Sequence, residues 1–228
     1  IYILVRELWH FHGKNMNNTL DIDHYLEKHS TPEPELLQEL AAYTEKNVPG
    51  AQMLTGRVEG RLLKWLVSLV GAHKVLELGT YTGYSALSMA EALPEEGYVL
   101  TCDRNAQVLE IAQRYIDRSE HGHKVRVTQQ LIGDLLNTLV EQREQFDFIF
   151  IDADKKPNHE YVEYALKLLS PKGMIAVDNT LWAGEVLHPE DTSSKVIAKF
   201  NNDLLKHEDI EVLMLPVRDG LTLIRRKI

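Results

Sequence analysis

The chain has 228 residues, of which 44% are hydrophobic and 26% charged, a composition that suits one α/β domain with a sizeable core. Its 25 basic and 34 acidic residues give a formal net charge of -9, which argues against binding to nucleic acid or to an anionic membrane. The one cysteine, Cys102, excludes an intramolecular disulfide and favours a reducing, cytoplasmic location, and no apolar run approaches the roughly 20 residues of a membrane span.

The first 50 residues are polar and are interrupted by prolines. We expect two helices here, over Asp21–His29 and Glu33–Asn47, with Pro34 in the first turn of the second. The sequence therefore predicts an N-terminal helical segment, residues 1–50, which packs on a core of residues 51–228 within a single domain.

Helical and strand patterns alternate from about Val58 to the end of the chain. The expected helices are Glu59–Val70, Tyr84–Ala92, Asn105–Arg118, Asp134–Gln142, Asn158–Leu169 and Ser194–Lys206. The expected strands are Lys74–Leu78, Tyr98–Cys102, Lys124–Thr128, Phe146–Ile151, Met174–Asp178, Ile210–Leu215 and Leu221–Arg225.

This alternation predicts right-handed βαβ units, and so a mostly parallel, Rossmann-like sheet of seven strands with helices on both faces. The pair Asp219-Gly220 predicts a hairpin that makes the last strand antiparallel. Ligands of such sheets bind beyond the carboxyl ends of the strands, so the chemistry is expected at those ends.

A glycine-containing loop follows the first expected strand. Gly79 and Gly83 allow a tight turn into a helix, and Glu77 precedes them, which differs from the G-x-G-x-x-G spacing of dinucleotide binders. A cationic sulfonium cofactor such as S-adenosylmethionine (SAM) suits an acid here, and Ser85 could bind its carboxylate. Asp103, at the end of the next strand, could accept hydrogen bonds from a ribose diol. Each element alone could instead be a capped turn.

Acidic and amide side chains follow the fourth and fifth expected strands. Asp152 ends one of them, and Asp178 with Asn179 ends the next. Two carboxylates and a carboxamide oxygen suit a hard cation, so the pattern predicts a site for Mg²⁺, with Mn²⁺ or Ca²⁺ as alternatives. The competing interpretation is that each acid only caps a turn. Lys155, three residues after Asp152, could take a proton from a bound hydroxyl, or it could be a solvated surface lysine.

At these residues the chain resembles the cation-dependent O-methyltransferases of the caffeoyl-CoA type and their bacterial relatives, and more distantly catechol O-methyltransferase. The resemblance runs from about Met53 to the C-terminus. Its motifs are ELGTYTGYS (77–85), CD (102–103), FDFIFIDADK (146–155), PKGMIAVDNTLWAGEV (171–186) and LPVRDGLTLIRR (215–226).

The resemblance implies a SAM-dependent methyltransferase sheet and a homodimer. It implies metal ligands Asp152, Asp178 and Asn179, catalytic roles for Lys155 and Asp152, and Trp182 as a wall of the acceptor site. The implied cofactor contacts are Thr55, Glu77, Gly79, Thr80, Ser85 and Asp103. The stretch 129–134 departs from the family pattern, so the adenine contact is unassigned, with Asp134 as a candidate.

The predicted activity is therefore transfer of a methyl group from SAM to a hydroxyl of a catechol-like, vicinal dihydroxy small molecule. Two alternatives are a non-catalytic SAM-binding protein and a nucleic-acid methyltransferase on the same fold. The motif IDADK stands where base N-methyltransferases often carry an Asn/Asp-Pro-Pro-aromatic motif, and the acidic charge also disfavours nucleic acid. The acceptor itself is not readable from the sequence.

Overall fold

The computed structural model describes residues 22, 24–155 and 158–227. Its strands are β1 (Lys74–Leu78), β2 (Tyr98–Asp103), β3 (Val125–Gln129), β4 (Phe146–Ile151), β5 (Leu169–Val177), β6 (Ile210–Leu215) and β7 (Leu221–Arg226). Its α-helices are α1 (Glu35–Asn47), α2 (Arg57–Val70), α3 (Tyr84–Ala90), α4 (Ala106–Ile116), α5 (Ile132–Glu141), α6 (Asn158–Leu168) and α7 (Thr192–Leu204). Residues 24–28 are also helical, while Asp21 and Asp23 of the expected first helix lie outside the described residues.

The seven strands form one sheet in the order β3-β2-β1-β4-β5-β7-β6. β1 to β5 are parallel, and β7 is antiparallel to both of its neighbours. The predicted fold class and the antiparallel last strand are confirmed. The order reverses beside β1, so β1 and β4 flank the crevice in which ligands of such sheets bind.

Local sequence determines where the helices begin and end. The α4 helix begins after Asn105, whose side chain accepts a hydrogen bond from the backbone N–H of Gln107, as an N-cap residue does. The α2 helix ends at Gly71, whose left-handed backbone (φ 66°) is the usual helix stop.

The expected bounds of β1, β4 and β6 match the structure, and β5 is the main difference. It begins at Leu169 rather than at Met174, because Leu169 pairs with Phe146 beyond an irregularity in the ladder between Phe146 and Phe148. The sequence pattern predicts a turn rather than a strand here, because Ser170, Pro171 and Gly173 are residues typical of turns.

Core residues cover both faces of the sheet. One cluster joins the sheet to α5, α6 and α7, and a second joins it to α2 and α3. The α1 helix packs through Leu37 and Leu40 on a third cluster with Tyr84, Leu87 and Tyr115. Among the described residues, no helix is long and apolar enough to cross a bilayer.

Candidate active site

Three neighbouring strands end at the same level on the carboxyl edge of the sheet. Leu78 of β1 pairs with Ile151 of β4, and Ile151 pairs with Val177 of β5. The next residues are Gly79, Asp152 and Asp178. Backbone hydrogen bonds continue one step past the strand ends, from Asp152 N–H to the Leu78 carbonyl (2.9 Å) and from Asp178 N–H to the Ile151 carbonyl (3.0 Å). The glycine loop and the two acids are therefore side by side.

The loop after β1 requires glycine at two points. Gly79 has φ 107°, and a Cβ atom there would overlap the backbone carbonyl of Asp152. Gly83 has φ 86° and precedes the first residue of α3. Positive φ and close backbone approach are the conditions that favour glycine. This geometry brings the loop into direct contact with the end of β4.

Glu77 lies beneath this loop and is fully buried. One carboxylate oxygen accepts a hydrogen bond from the Thr101 hydroxyl (2.5 Å), and Thr101 is also bonded to Thr80 (2.6 Å). Oε1 has no hydrogen-bond partner among the described residues. Burial raises the pKa of Glu77 to about 8, although the nearby hydroxyls of Ser85 and Thr101 act in the opposite direction. A buried acid with a free oxygen is suited to a cationic ligand.

Asp103 ends β2 and braces the glycine loop. Its Oδ2 accepts a hydrogen bond from the backbone N–H of Tyr81 (3.0 Å), and its Oδ1 accepts one from Asn105 (2.9 Å). The turn-capping role considered from the sequence is therefore present. A carboxylate has about four acceptor positions, so a ribose contact is compatible with these two bonds.

A small cavity opens between the glycine loop and the segment before α2. Its lining includes Thr55, Gly79, Thr80, Ser85 and Asp152. Four of the expected cofactor contacts thus share one cavity with an expected metal ligand. A larger cleft, of about 210 Å³, lies beside α1, and its lining includes none of the expected site residues.

The expected metal ligands directly follow the ends of β4 and β5. Asp178 is buried and accepts a short hydrogen bond (2.6 Å) from the backbone N–H of Asn179, and Asn179 adopts a left-handed conformation (φ 59°). Burial, and then the negative charge of Asp152, raise the pKa of Asp178 to about 7. Lys155 is largely buried, and its Nζ lies 3.0 Å from Asp152 Oδ1.

This donor set fits a hard cation, because it offers two carboxylates and a carboxamide oxygen. Among the described residues, no group of three or more His, Cys, Asp or Glu side chains is arranged to hold a metal. The predicted ligands Asp152, Asp178 and Asn179 do not form such a group, because Asn179 is an amide and only two of the three are acids.

Other polar candidates lie away from this corner. Asp154 is exposed and lies 3.7 Å from the guanidinium of Arg104, so its side chain is directed to the surface. Asp134, the candidate adenine contact, is exposed in the first turn of α5.

Trp182 is half-buried in a strained loop after β5. Trp182, Ala183 and Gly184 all have positive φ (49°, 50° and 81°), which costs energy for the two non-glycine residues. The β6–β7 hairpin supports them, because the Asp219 carboxylate accepts a hydrogen bond (2.5 Å) from the Ala183 N–H. A Cβ atom on Gly220 would lie 2.7 Å from the Leu181 nitrogen. The hairpin thus fixes the loop that carries Trp182.

Two charged residues that sequence reasoning missed lie beside the acidic corner. Glu59 of α2 is 0% exposed, and Arg218 of the hairpin is its nearest cation, with 3.6 Å between Nε and Oε2. Burial, followed by the charges of Asp178 and Asp152, holds the pKa of Glu59 well above its usual range, while Arg218 acts against this. Arg218 has a left-handed backbone (φ 48°).

A signal for Glu59 was present in the sequence. It precedes Leu62, Leu63 and Leu66 by three, four and seven residues, so it lies on the apolar stripe of α2. A charge at such a position is buried and rarely without purpose. Arg218 gave no comparable signal, because a basic residue before a hairpin turn is ordinary.

Comparison with known proteins agrees with this geometry. A family model described as O-methyltransferase matches residues 27–227. Caffeoyl-CoA O-methyltransferase 2 of Zea mays is 40% identical over 205 residues, which cover 85% of this chain and 77% of the maize protein.

Solved structures show the same similarity. A methyltransferase from Podospora anserina, bound to SAH, superposes with a TM-score of 0.84 at 27% identity, covering 94% of this chain and 97% of that one. An O-methyltransferase of tomaymycin synthesis from Streptomyces achromogenes, in complex with SAM, has a TM-score of 0.82 at 29% identity, covering 91% and 96%.

Proposed function

Because the chain belongs to the O-methyltransferase family and is a SAM-dependent enzyme of the caffeoyl-CoA type, we propose that it methylates a catechol-like small molecule with the help of a divalent cation. The observation that carries this proposal is the placement of Asp152 and Asp178 just after neighbouring strands, with Asp152 one strand away from Gly79. The methyl donor and a chelated hydroxyl could meet there.

Asp152, Asp178 and Asn179 would hold the cation, for which we propose Mg²⁺, with Mn²⁺ or Ca²⁺ as alternatives. Support comes from their oxygen-only donor set and from the raised pKa of Asp178, which is caused by burial and by the negative charge of Asp152. Such a cation lowers the pKa of a bound hydroxyl and aligns adjacent oxygens. A vicinal diol offers two such adjacent oxygens to the cation.

Lys155 would hold or remove the proton of the reacting hydroxyl. Its Nζ lies 3.0 Å from Asp152 and is largely shielded from water, so it is close to where the hydroxyl would lie. Trp182, supported by the β6–β7 hairpin, would form a wall against the aromatic ring of the acceptor. These residues would act mainly by positioning and by electrostatic stabilisation.

The cofactor would occupy the cavity beside the glycine loop. Glu77 would face the cationic part of SAM with its unpaired oxygen, and Asp103 would accept the ribose hydroxyls. Thr80 and Ser85 would bind polar groups of the cofactor where the loop enters α3, a helix start that favours a carboxylate. Gly79 would allow close approach, and Thr55 would cover the cofactor from the segment before α2.

The test is a methyl-transfer assay over catechols and matched monophenols, with SAM, in EDTA and in added Mg²⁺ or Mn²⁺. We expect transfer to catechols only when the cation is present, because both acceptor oxygens need it. Full activity in EDTA would refute the metal dependence, and equal rates on monophenols would refute the acceptor class.

We also propose a homodimer and a cytoplasmic location. The α2 helix exposes Trp65 (64%) and Leu69 (75%), and the edge strand β6 exposes Leu213 (57%), apolar side chains of the kind that interfaces cover. Sedimentation analysis is expected to give twice the chain mass, and a monomer at micromolar concentration would refute the dimer. The single, buried Cys102 is compatible with a reducing cytoplasm.

A further inference from the structure

The glycine loop is held from two sides, and only one of them belongs to the sheet. On the sheet side, the Tyr81 N–H donates to Asp103. The Thr80 hydroxyl is bonded to Thr101 on the same side. On the other side lies the N-terminal segment, which contributes three further bonds to this stretch of chain. The proposed cofactor contacts include no residue of that segment, so they do not explain this second set of bonds.

The most buried of these contacts joins Thr44 of α1 to Thr82 of the glycine loop. The Thr44 hydroxyl donates to the Thr82 hydroxyl across 3.1 Å, and both residues are 0% exposed. A buried hydroxyl without a partner is costly, so each of these two threonines satisfies the other. Thr82 stands between Gly79 and Gly83, where the loop turns into α3. The bond therefore acts on the part of the loop whose backbone is most specialised.

Thr44 is the polar member of the face that α1 turns to the core. The buried residues of this helix are Leu37, Leu40 and Thr44, which lie on one stripe. Leu37 and Leu40 pack in an apolar cluster with Tyr84 and Leu87, and an apolar third residue would extend that packing. A threonine at this position exchanges apolar contact for a hydrogen bond, and that bond leads to the glycine loop.

Two further bonds tie the same stretch of chain to the N-terminal segment. The Tyr81 hydroxyl donates to the Pro49 carbonyl (3.4 Å). The Tyr84 hydroxyl donates to Glu33, which is buried. The chain then continues from the N-terminal segment through residues 53–55, which line the cavity beside the glycine loop. The N-terminal segment thus contacts the loop directly and leads into the wall of the same cavity.

We propose that α1 is a structural part of the cofactor site, in which Thr44 is a positioning residue that holds Thr82, and with it the glycine loop, in the conformation that receives SAM. Without this bond the loop populates other conformations as well, and the apparent affinity for SAM falls with the fraction of competent loop. Thr44 itself touches neither cofactor nor acceptor. The inference rests on the proposed placement of the cofactor beside the glycine loop.

The experiment is a calorimetric titration of the full chain with SAM, without acceptor or added metal. Thr44→Val removes the hydroxyl and keeps the shape of the side chain. It is expected to weaken SAM binding about 3–10-fold, which is what one buried hydrogen bond is typically worth. Thr44→Ser keeps the hydroxyl and removes the methyl group, so it is expected to lower thermal stability through a small cavity and to retain the SAM affinity of the wild type.

Ser170→Ala is the matched control. The Ser170 hydroxyl donates to Asp147 (2.9 Å), and Asp147 also accepts bonds from the backbone of His73 and Lys74 at the amino end of β1. This group lies at the edge of the sheet opposite the glycine loop. Loss of its hydrogen bond is expected to lower thermal stability and to leave SAM affinity unchanged, so a general loosening of the fold would be recognised.

A double-mutant cycle tests whether the bond itself is responsible. Thr82→Val removes the other partner of the bond. If the two threonines act through one bond, the double variant binds SAM no more weakly than Thr82→Val alone. Additive losses would contradict the inference, because Thr44 would then act on SAM binding independently of Thr82.

The outcomes separate this inference from the proposed function. Wild-type SAM affinity in a folded Thr44→Val variant overturns the inference alone if Ser85→Ala and Glu77→Gln, at two of the proposed cofactor contacts, weaken SAM binding. If those two variants also bind SAM as the wild type does, the placement of the cofactor fails as well. If Thr44→Val does not fold, hydrogen exchange of the wild type decides. Coupling is reciprocal, so SAM must then slow exchange of the α1 amides, and unchanged exchange overturns the inference.

Discussion

The glycine loop and the acidic corner formed by Asp152 and Asp178 share one edge of the sheet but are stabilised in different ways. In the loop after β1, Asp103 accepts backbone hydrogen bonds and Thr101 links Glu77 to Thr80, so the loop is largely complete as it folds. In the corner after β4 and β5, Asp178 is buried, and burial together with the negative charge of Asp152 raises its pKa to about 7. One region is organised by its own bonds, while the other is electrostatically incomplete. Folding and binding therefore depend on different residues along the same edge.

The largest effect is expected from Asp178→Asn, which removes the charge of the corner while keeping its shape. Methyl transfer is expected to fall by more than about 100-fold, beyond the loss typical of an outer metal partner. Thermal stability in EDTA is expected to stay level or rise, because a buried, repelled charge is gone. Initial rates and unfolding curves measure the two.

A large loss of thermal stability of Asp178→Asn in EDTA would contradict this prediction, since it would mean that Asp178 stabilises the fold without a cation. A methyl-transfer rate of Asp178→Asn close to that of the wild type would contradict the proposed role of Asp178 in activity.

The second expected effect tests the loop, where the fold itself is at stake. Gly79→Ala places a Cβ atom against the Asp152 carbonyl at a φ of 107°, and we expect it to cost more than about 2 kcal/mol of unfolding free energy. Gly133→Ala is the control, because Gly133 in α5 has nothing within 4 Å of its Cβ position. It is expected to stabilise by up to about 1 kcal/mol.

Urea unfolding of both variants decides the point. Equal stability of the two variants would show that the loop contact with β4 is looser than described.

The smallest effect is a pH dependence of cofactor binding that traces to Glu77. Its pKa in the folded protein without cofactor is about 8, above the ordinary 4.5, so the folded chain keeps this proton as pH rises from about 4.5 to about 8. Its stability is therefore expected to fall across that window and then level off. Cationic SAM favours the ionised acid, so its affinity is expected to rise by at most about tenfold per pH unit up to pH 8.

Calorimetry of SAM binding at several pH values measures this, and Glu77→Gln is expected to remove the slope. Titration of the cofactor itself is common to both proteins, so the difference between them isolates Glu77. Identical pH profiles would place Glu77 outside the cofactor contacts.

The sequence was informative about the strands and their polar ends because both have strong local signatures. Runs such as Phe146–Ile151 are apolar on both faces, and Asp152 follows at once, so strand, end and acid are read together. The predicted start of β5 was wrong because the pairing of Leu169 with Phe146 is a contact between distant parts of the chain, which leaves no local signal in the sequence. The partnership of Glu59 with Arg218 joins residues 159 positions apart and has no local signature.

The register of β1, β4 and β5 has one more consequence. Neighbouring strands are spaced by about 4.8 Å, and Leu78, Ile151 and Val177 lie in one row across them. The strand spacing therefore fixes the separation between the glycine loop and Asp178 at two strand spacings, roughly 10 Å. Surface loops beyond this edge can change in length or composition without altering that interval, so the proposed acceptor could vary while the spacing between the proposed cofactor and metal sites stays constant.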